Sequence, residues 1–173
     1  MHRTQLLVPG SDLMAAPATP ASRHRSKSRR LRSSDPAVRA MTDFLRDPPL
    51  TTVEDCDLDT AMDEMFRLGV RAFLVVRDLA VVGLITAEDI RQSRRSSVSR
   101  VAEIMTSAAD MPAIDWLTLR EAKVRDLLEI FEGANVHHLV VLETESTQRA
   151  TVRGLVHRSR VERRLLPNDY SNP

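Results

Sequence analysis

Apolar and polar positions alternate along the chain with two periods, one typical of helices and one typical of buried strands. Residues 58–70, LDTAMDEMFRLGV, place apolar side chains on one stripe of helical period, which predicts an amphipathic helix. The run AFLVV at 72–76 predicts a buried strand, residues 78–79 a tight turn, and the run AVVGLI from residue 80 a second strand. A second helix is expected to begin at Thr86.

The same pattern occurs again 66 residues later. VRDLLEIFEGANV at 124–136 repeats the helical stripe, and HHLVVLE at 137–143 repeats the first strand. After a connection about five residues longer, GLVHRSRV at 154–161 aligns with GLITAEDI at 83–90 with an offset of 71. One unit of helix, strand, strand and helix therefore occurs twice. Two units that each expose an apolar face are expected to bury it against each other.

The segment between the two units has its own pattern. SRVAEIM, at residues 99–105, predicts a short linking helix, and Pro112 begins an extended stretch that leads into the second unit. Trp116 is expected to pack where this segment meets the second unit, in preference to a functional role. We therefore expect a disordered basic tail at 1–40, a first repeat at 41–98, a linker helix and leading strand at 99–115, a second repeat at 116–167 and a short tail at 168–173.

A threonine and an aspartate stand where the second strand of the first unit gives way to a helix. The Thr86 hydroxyl can accept a hydrogen bond from the Asp89 amide, and a carboxylate in the first turn suits the helix dipole. The same two side chains could instead hold a ligand. The residue pattern leaves both interpretations open.

Composition narrows the class of protein. Apolar residues make up 42% of the chain and charged residues 28%, which is the balance of a soluble globular protein, and no window approaches the ~20 apolar residues of a membrane span. The single cysteine, Cys56, excludes an internal disulfide framework, so a reducing, cytoplasmic location is expected. Adjacent His137 and His138 on a strand should point to opposite faces, which argues against a shared metal site. Since the chain also lacks a P-loop, a G-x-S-x-G and an H-E-x-x-H motif, no enzyme is predicted.

Charge is distributed unevenly. Residues 1–35 carry seven basic and two acidic residues, a formal charge of +5, whereas the whole chain carries +1. This segment is rich in Pro, Ala, Ser and Arg and shows no periodicity, which predicts disorder. Three explanations compete with a nucleic-acid-binding arm: a solvated tail, a start codon at Met14 or Met41, and non-specific attraction to phosphate. The arm is disfavoured because no aromatic residue interleaves with the arginines.

The order, spacing and duplication of these motifs resemble the CBS-domain pair, a tandem module named for cystathionine beta-synthase, over about residues 43–166. The resemblance implies an α/β (α+β) fold of two β-α-β-β-α repeats packed with pseudo-two-fold symmetry around two clefts. In many such proteins a cleft binds an adenosine compound through a Gly-apolar-x-Thr/Ser-x-x-Asp motif, whose carboxylate accepts both ribose hydroxyls. By resemblance, the nucleotide-binding residues here are Gly83, Thr86, Asp89, Thr52, Arg71 and Ala72.

The second repeat departs from that motif. His157 and Arg160 occupy the positions of Thr86 and Asp89, and an arginine has no lone pair to offer a ribose hydroxyl. One nucleotide per chain is therefore expected. The basic residues Arg153, His157, Arg158 and Arg160 could receive a phosphate, or they could form the solvated start of a helix.

The resemblance implies a stand-alone, non-enzymatic regulatory module without a required cofactor. It would bind AMP, ADP, ATP or S-adenosylmethionine as a regulatory ligand, form a homodimer through its helices, and modulate an unidentified protein partner. The alternative is a ligand-independent interaction scaffold whose Arg-rich tail contacts nucleic acid or an acidic partner. No membrane partner is expected in either case.

Overall fold

The computed structural model describes residues 5–9, 30–94, 97–146 and 149–166 of the 173-residue chain. Within them, two units of helix, strand, strand and helix share one mixed sheet, so the predicted α/β architecture is confirmed. The strands are β1 (Gln5–Leu7), β2 (Thr42–Asp43), β3 (Thr51–Thr52), β4 (Ala72–Arg77), β5 (Ala80–Thr86), β6 (Thr106–Ser107), β7 (Ala113–Asp115), β8 (His138–Ser146) and β9 (Arg149–His157). The helices are α1 (Leu58–Leu68), α2 (Ala87–Ser93), α3 (Trp116–Glu121), α4 (Val124–Gly133) and α5 (Arg158–Arg164), with 3-10 turns at Ala37–Ala40 and Val101–Glu103.

The first helices of the two repeats, α1 and α4, bury equivalent faces. Helix α1 ends at Gly69, whose left-handed φ of 64° suits a residue without a Cβ atom. Phe66 was predicted to lie on the apolar stripe, but its side chain is 88% exposed because the buried face is narrower than the stripe. The buried residues of α1, Leu58, Ala61 and Met65, have buried counterparts 66 residues later on α4, namely Val124, Leu127 and Phe131.

The two hairpins confirm the predicted strand pairs. Strands β4 and β5 are antiparallel and joined at residues 78–79, which have positive φ angles of 47° and 67°, as a tight hairpin turn requires. Strands β8 and β9 pair in the same way, and the longer connection of the second repeat falls in this hairpin. At the open ends of the hairpins, Ala72 lies opposite Thr86 and His138 lies opposite His157.

The segment in front of each repeat completes the sheet of the other repeat. Strand β6 precedes the helix-strand-strand-helix unit of the second repeat but pairs with β5, whereas β2 precedes that unit of the first repeat but pairs with β9. Glycines permit both approaches, since a Cβ atom on Gly83 would lie 2.7 Å from the Thr106 carbonyl oxygen, and one on Gly154 would lie 2.5 Å from that of Thr42. The two repeats are therefore mutually dependent.

The assignment of residues 30–40 to a disordered tail is wrong. The Leu31 side chain is 0% exposed, and the Leu31 N–H donates to the Arg164 carbonyl oxygen at 2.7 Å. Ala37 and Ala40 are buried in the same apolar cluster, beside Leu119 of the second repeat. This segment packs on the second repeat as the linker around Val101 packs on the first. Residues 10–29 and 167–173 lie outside the described part of the chain.

Strand β1 also corrects the tail assignment. It inserts between the two hairpins, with Leu6 opposite Ala150 in a parallel ladder with β9 and Leu7 opposite Ala80 in an antiparallel contact with β5. The strand thereby joins both repeats into one sheet with the order β3-β4-β5-β1-β9-β8-β7. Three residues are too few for a period to be visible in the sequence.

The linker is less helical than predicted and consists of a 3-10 turn around the buried Val101. The strand after Pro112 is present as β7, and Trp116 packs against the second repeat as expected, with the Arg153 guanidinium 4.6 Å from its ring centre. No helix in the described residues is long and apolar enough to cross a membrane. The cytoplasmic location stays a prediction.

Candidate functional site

A cleft of about 390 Å³ lies between the two repeats, at the end of β5 and the start of β8. Its size falls within the range of small-molecule sites. The first repeat contributes Arg71, Thr86 and Asp89 to its wall, and the second repeat contributes His137, His138 and His157. Three of the six residues that the resemblance implies for nucleotide binding, Arg71, Thr86 and Asp89, are thus brought to one surface with three histidines.

Thr86 and Asp89 form a complete capping box. The Asp89 N–H donates to Thr86 Oγ1 at 3.1 Å, and the Thr86 N–H donates to Asp89 Oδ2 at 2.9 Å. The Thr86 hydroxyl also donates to Oδ2, at 2.7 Å. The helix-cap interpretation is therefore confirmed.

The cap occupies only one oxygen of the Asp89 carboxylate. No donor from the described residues reaches Oδ1, although the residue lines the cleft. A carboxylate held rigidly at Oδ2 with its second oxygen unused is suited to accept a hydroxyl from a ligand. Capping and ligand binding are thus compatible at this position, because the cap orients the group that the ligand would contact.

The other residues implied by the resemblance divide into two groups. Arg71 is exposed at the cleft, and within the described chain its guanidinium makes no hydrogen bond or ion pair. Thr52 is buried opposite Val75, and Ala72 lies opposite Thr86, so neither is part of the cleft lining. Gly83 is also outside the lining, and its role is the close approach of β6.

The basic residues of the second repeat do not converge on a phosphate site. Arg153 donates to Asp43 and to Glu143, each at 3.2 Å, beneath the Trp116 ring. Arg158 pairs with Glu162 at 2.8 Å, and Arg160 donates to the Thr42 hydroxyl at 2.7 Å. Of the four, only His157 lines the cleft. For the three arginines the phosphate interpretation therefore has no support from the geometry, since each already has a protein partner.

Two histidines pack against each other in the second half of the cleft. The His138 and His157 rings, opposite each other on β8 and β9, have centroids 4.3 Å apart and an interplanar angle of 66°. The buried His138 Nε2 atom has no hydrogen-bond partner among the described residues. Sequence inspection missed this pair because the two residues are far apart in sequence. Only the register of the long β8–β9 hairpin brings their rings together.

Burial and nearby positive charge keep both imidazoles neutral at physiological pH. Burial lowers the pKa of His138 to about 3, with a smaller contribution from His157. Burial is also the main reason that the pKa of His157 falls to about 4, and Arg71 lowers it further from the opposite wall. His137, in contrast, is exposed at the rim of the same cleft, one residue before β8 begins.

The comparisons with known proteins define the family of the first repeat. Residues 41–96 match the family model of the CBS domain. This segment is a CBS domain. A comparison with curated proteins finds no significant match.

Solved structures show that the whole fold is that of a CBS-domain pair. A conserved protein from Pyrococcus horikoshii is similar at a TM-score of 0.57 and 18% identity, over 76% of this chain and 92% of that one. The CBS-domain pair of MJ0100, in complex with 5'-methylthioadenosine and S-adenosyl-L-methionine, is similar at a TM-score of 0.53 and 18% identity, over 72% of this chain and 90% of that one. CBSX2 in complex with AMP is similar at a TM-score of 0.53 and 15% identity, over 75% of this chain and 94% of that one. At such low identities, these similarities establish only the fold, which is that of a CBS-domain pair.

Proposed function

We propose that this CBS-domain pair is a regulatory module that binds an adenosine nucleotide in the cleft between its repeats. The observation that carries the proposal is the Asp89 carboxylate on the wall of the cleft, which is fixed through Oδ2 and whose Oδ1 receives no donor from the described residues. Oδ1 accepts a ribose hydroxyl, and the carboxylate as a whole can take both vicinal hydroxyls. The AMP and 5'-methylthioadenosine complexes of structurally similar CBS pairs support an adenosine compound as the ligand.

We further propose that each chain binds one nucleotide. The position equivalent to Asp89 in the second repeat is Arg160, whose guanidinium donates to the Thr42 hydroxyl. A second ribose would meet a donor where it needs an acceptor, so the two halves of the cleft are not equivalent as ligand sites.

Regulation would follow from the position of the cleft between the repeats. A ligand that contacts both walls stabilises one relative packing of the repeats, and this bias has an effect only if a partner distinguishes the packings. The partner would be another protein or a second copy of this chain.

The proposal is tested by calorimetric titration with AMP, ADP, ATP and S-adenosylmethionine. Asp89→Ala is expected to weaken binding by ~1.5–3 kcal/mol, about tenfold to a hundredfold, because it removes charge-assisted hydrogen bonds to the ribose. Asp126→Ala is the matched control, because Asp126 is also a carboxylate in the first turn of a helix and accepts the Lys123 N–H at 2.8 Å, away from the cleft. It should cost ~0.3–1 kcal/mol of stability and leave affinity unchanged.

Three outcomes would contradict the proposal. Unchanged affinity in Asp89→Ala would remove the ribose assignment, and two equivalent sites per chain would remove the asymmetry between the repeats. Absence of heat with every adenosine compound would instead favour the ligand-independent scaffold. Nucleic-acid binding by the full chain, and its loss when residues 10–29 are deleted, would then identify the scaffold's partner.

A further inference from the structure

The two repeats differ most at the open ends of their hairpins. In the first repeat the cross-strand pair is Ala72 and Thr86, a methyl group and a hydroxyl. In the second repeat the equivalent pair is His138 and His157, two imidazoles in ring-to-ring contact. The second half of the cleft therefore contains two titratable nitrogen heterocycles where the first half has small side chains.

We propose that the His138–His157 pair and Arg71 receive the phosphate of the bound nucleotide, and that binding takes up protons at the histidine pair. This inference rests on the proposed function, because it assigns the opposite wall of the same cleft. It makes the ligand a phosphate-bearing adenosine compound. Adenosine itself, and the cationic sulfonium of S-adenosylmethionine, would fit this wall less well.

The first argument is the supply of donors. A neutral imidazole has one N–H group and a protonated imidazole has two. The His138 Nε2 atom is buried without a described partner, whereas His157 Nδ1 lies 3.3 Å from the Ser159 hydroxyl. A phosphate in the cleft, with its many acceptor oxygens, would accept from the guanidinium of Arg71, and it would satisfy the unpartnered nitrogen once the His138 ring turns to bring that buried atom to the cleft.

The second argument is the charge that faces the pair. The groups that act on His157 are positive or neutral: Arg71 beside β4, His137 beside β8, and Arg160 and Arg163 from α5. Helix α2 contributes the carboxylates of the cleft: Glu88, which interacts with His137 and is paired with Arg91, and Asp89, which is held in the cap of α2. An anion is therefore favoured on this wall of the cleft.

The same charges explain why protons would bind together with the ligand. Burial and Arg71 hold His157 neutral, and burial holds His138 neutral. A dianionic phosphate beside the pair reverses the sign of the local field and favours the charged imidazoles. By linkage, a ligand that raises proton affinity must itself bind more tightly as the pH falls.

The experiment compares AMP with adenosine by calorimetry at about pH 7.5 and about pH 6, in buffers of different ionisation enthalpy that report proton uptake. The wild type should prefer AMP at least tenfold, the preference should grow as the pH falls, and net proton uptake should accompany AMP but not adenosine. The variant His138→Ala/His157→Thr installs the residues found in the first repeat. Its AMP affinity should fall towards that of adenosine, and its excess proton uptake should vanish.

Arginine variants complete the test. Arg71→Ala should lower the preference for AMP, whereas Arg67→Ala, which removes an exposed arginine of α1 outside the cleft, should not. Because AMP titrates identically in every experiment, its own protonation cancels when the variants are compared. Thermal unfolding without ligand establishes that each variant is folded.

The failures of the two proposals are distinguishable. Equal affinities for AMP and adenosine that both depend on Asp89 would overturn this inference and leave the proposed function standing. Proton uptake retained in His138→Ala/His157→Thr would also overturn it. Absence of binding by either compound would overturn both.

Discussion

The two repeats share one set of buried positions and differ at the positions around the cleft. Helices α1 and α4 bury residues at a constant offset of 66, and Gly83 and Gly154 are equivalent sites of close backbone approach. Ala72, Thr86 and Asp89, by contrast, correspond to His138, His157 and Arg160. The requirements of packing are therefore the same in both repeats, whereas the polar side chains around the cleft differ between them. One repeat offers an acceptor for hydroxyls, and the other offers donors for an anion.

The largest expected effect tests whether each repeat depends on the segment in front of the other. Leu31→Ala should destabilise the protein by ~2–5 kcal/mol, because the leucine is fully buried in the core of the second repeat. Leu45→Ala, at an exposed leucine, should change the free energy of unfolding by less than ~0.5 kcal/mol. Urea unfolding measures both. A Leu31 variant as stable as the Leu45 control would show that residues 30–40 are dispensable.

That dependence was the part of the fold least accessible from the sequence. The helices and hairpins could be predicted because their signals are local: a stripe of period 3.6 around Met65, an apolar run, a turn at residues 78–79. The pairing of β2 with β9 could not, since a two-residue strand has no measurable period and its partner lies more than a hundred residues away. The burial of Leu31 was hidden by the arginines around it.

The candidate site shows the same division. Thr86 and Asp89 could be identified because a capping box is a motif of four consecutive residues. The His138–His157 contact depends on the register of a long hairpin and so has no signature in the sequence. Three arginines were grouped with His157 because they are close in sequence, but their partners, Glu162 among them, come from the tertiary structure or from the next helical turn.

The next effect concerns the close approach that both repeats share. Gly83→Ala and Gly154→Ala should each cost ~1–3 kcal/mol, because the new methyl group would press on a backbone carbonyl oxygen that cannot move independently. Gly133→Ala is the control, because it lies in α4 with no atom within 4 Å of a Cβ, and it should stabilise the protein by ~0.5–1 kcal/mol. Thermal unfolding of the three variants measures these changes in stability. Similar shifts at all three glycines would remove the argument for two equivalent approaches.

A smaller effect separates the repeats by their response to pH. The pKa values of His138 and His157 are about 3 and about 4 in the folded protein, below the ordinary value of 6.5. Between pH ~4 and pH ~6.5 the unfolded chain binds more protons than the folded protein does. The contribution of the two neutral histidines to the free energy of unfolding is therefore fully present above pH ~6.5 and is lost as the pH falls towards ~4. After allowance for partial solvent screening, the loss should be roughly 1 kcal/mol per pH unit, or about 2–4 °C in Tm.

His138→Ala/His157→Thr is the matched variant for this measurement, because it replaces the pair with the residues of the first repeat. Its Tm should fall less steeply than that of the wild type between neutral pH and pH ~5. Parallel curves would show that carboxylates alone govern the acid response and that the histidine pair is not held neutral by the fold.

The smallest effect on folding, and the one that addresses assembly, lies on the outer face of α1. Phe66 is 88% exposed there, whereas its equivalent in the second repeat is Glu132, also exposed. An exposed phenylalanine on one repeat and a carboxylate on the other favour a homodimer in which α1 contributes more of the interface than α4.

Phe66→Glu makes the two helices alike at this position, so it should change monomer stability by less than ~0.5 kcal/mol but weaken association. Light scattering at tens of micromolar should then show a dimer for the wild type and for Glu132→Ala, and a shift towards monomer for Phe66→Glu. A monomeric wild type, or a Phe66→Glu variant that dimerises as well as the wild type, would place the exposed phenylalanine outside any interface between copies of this chain.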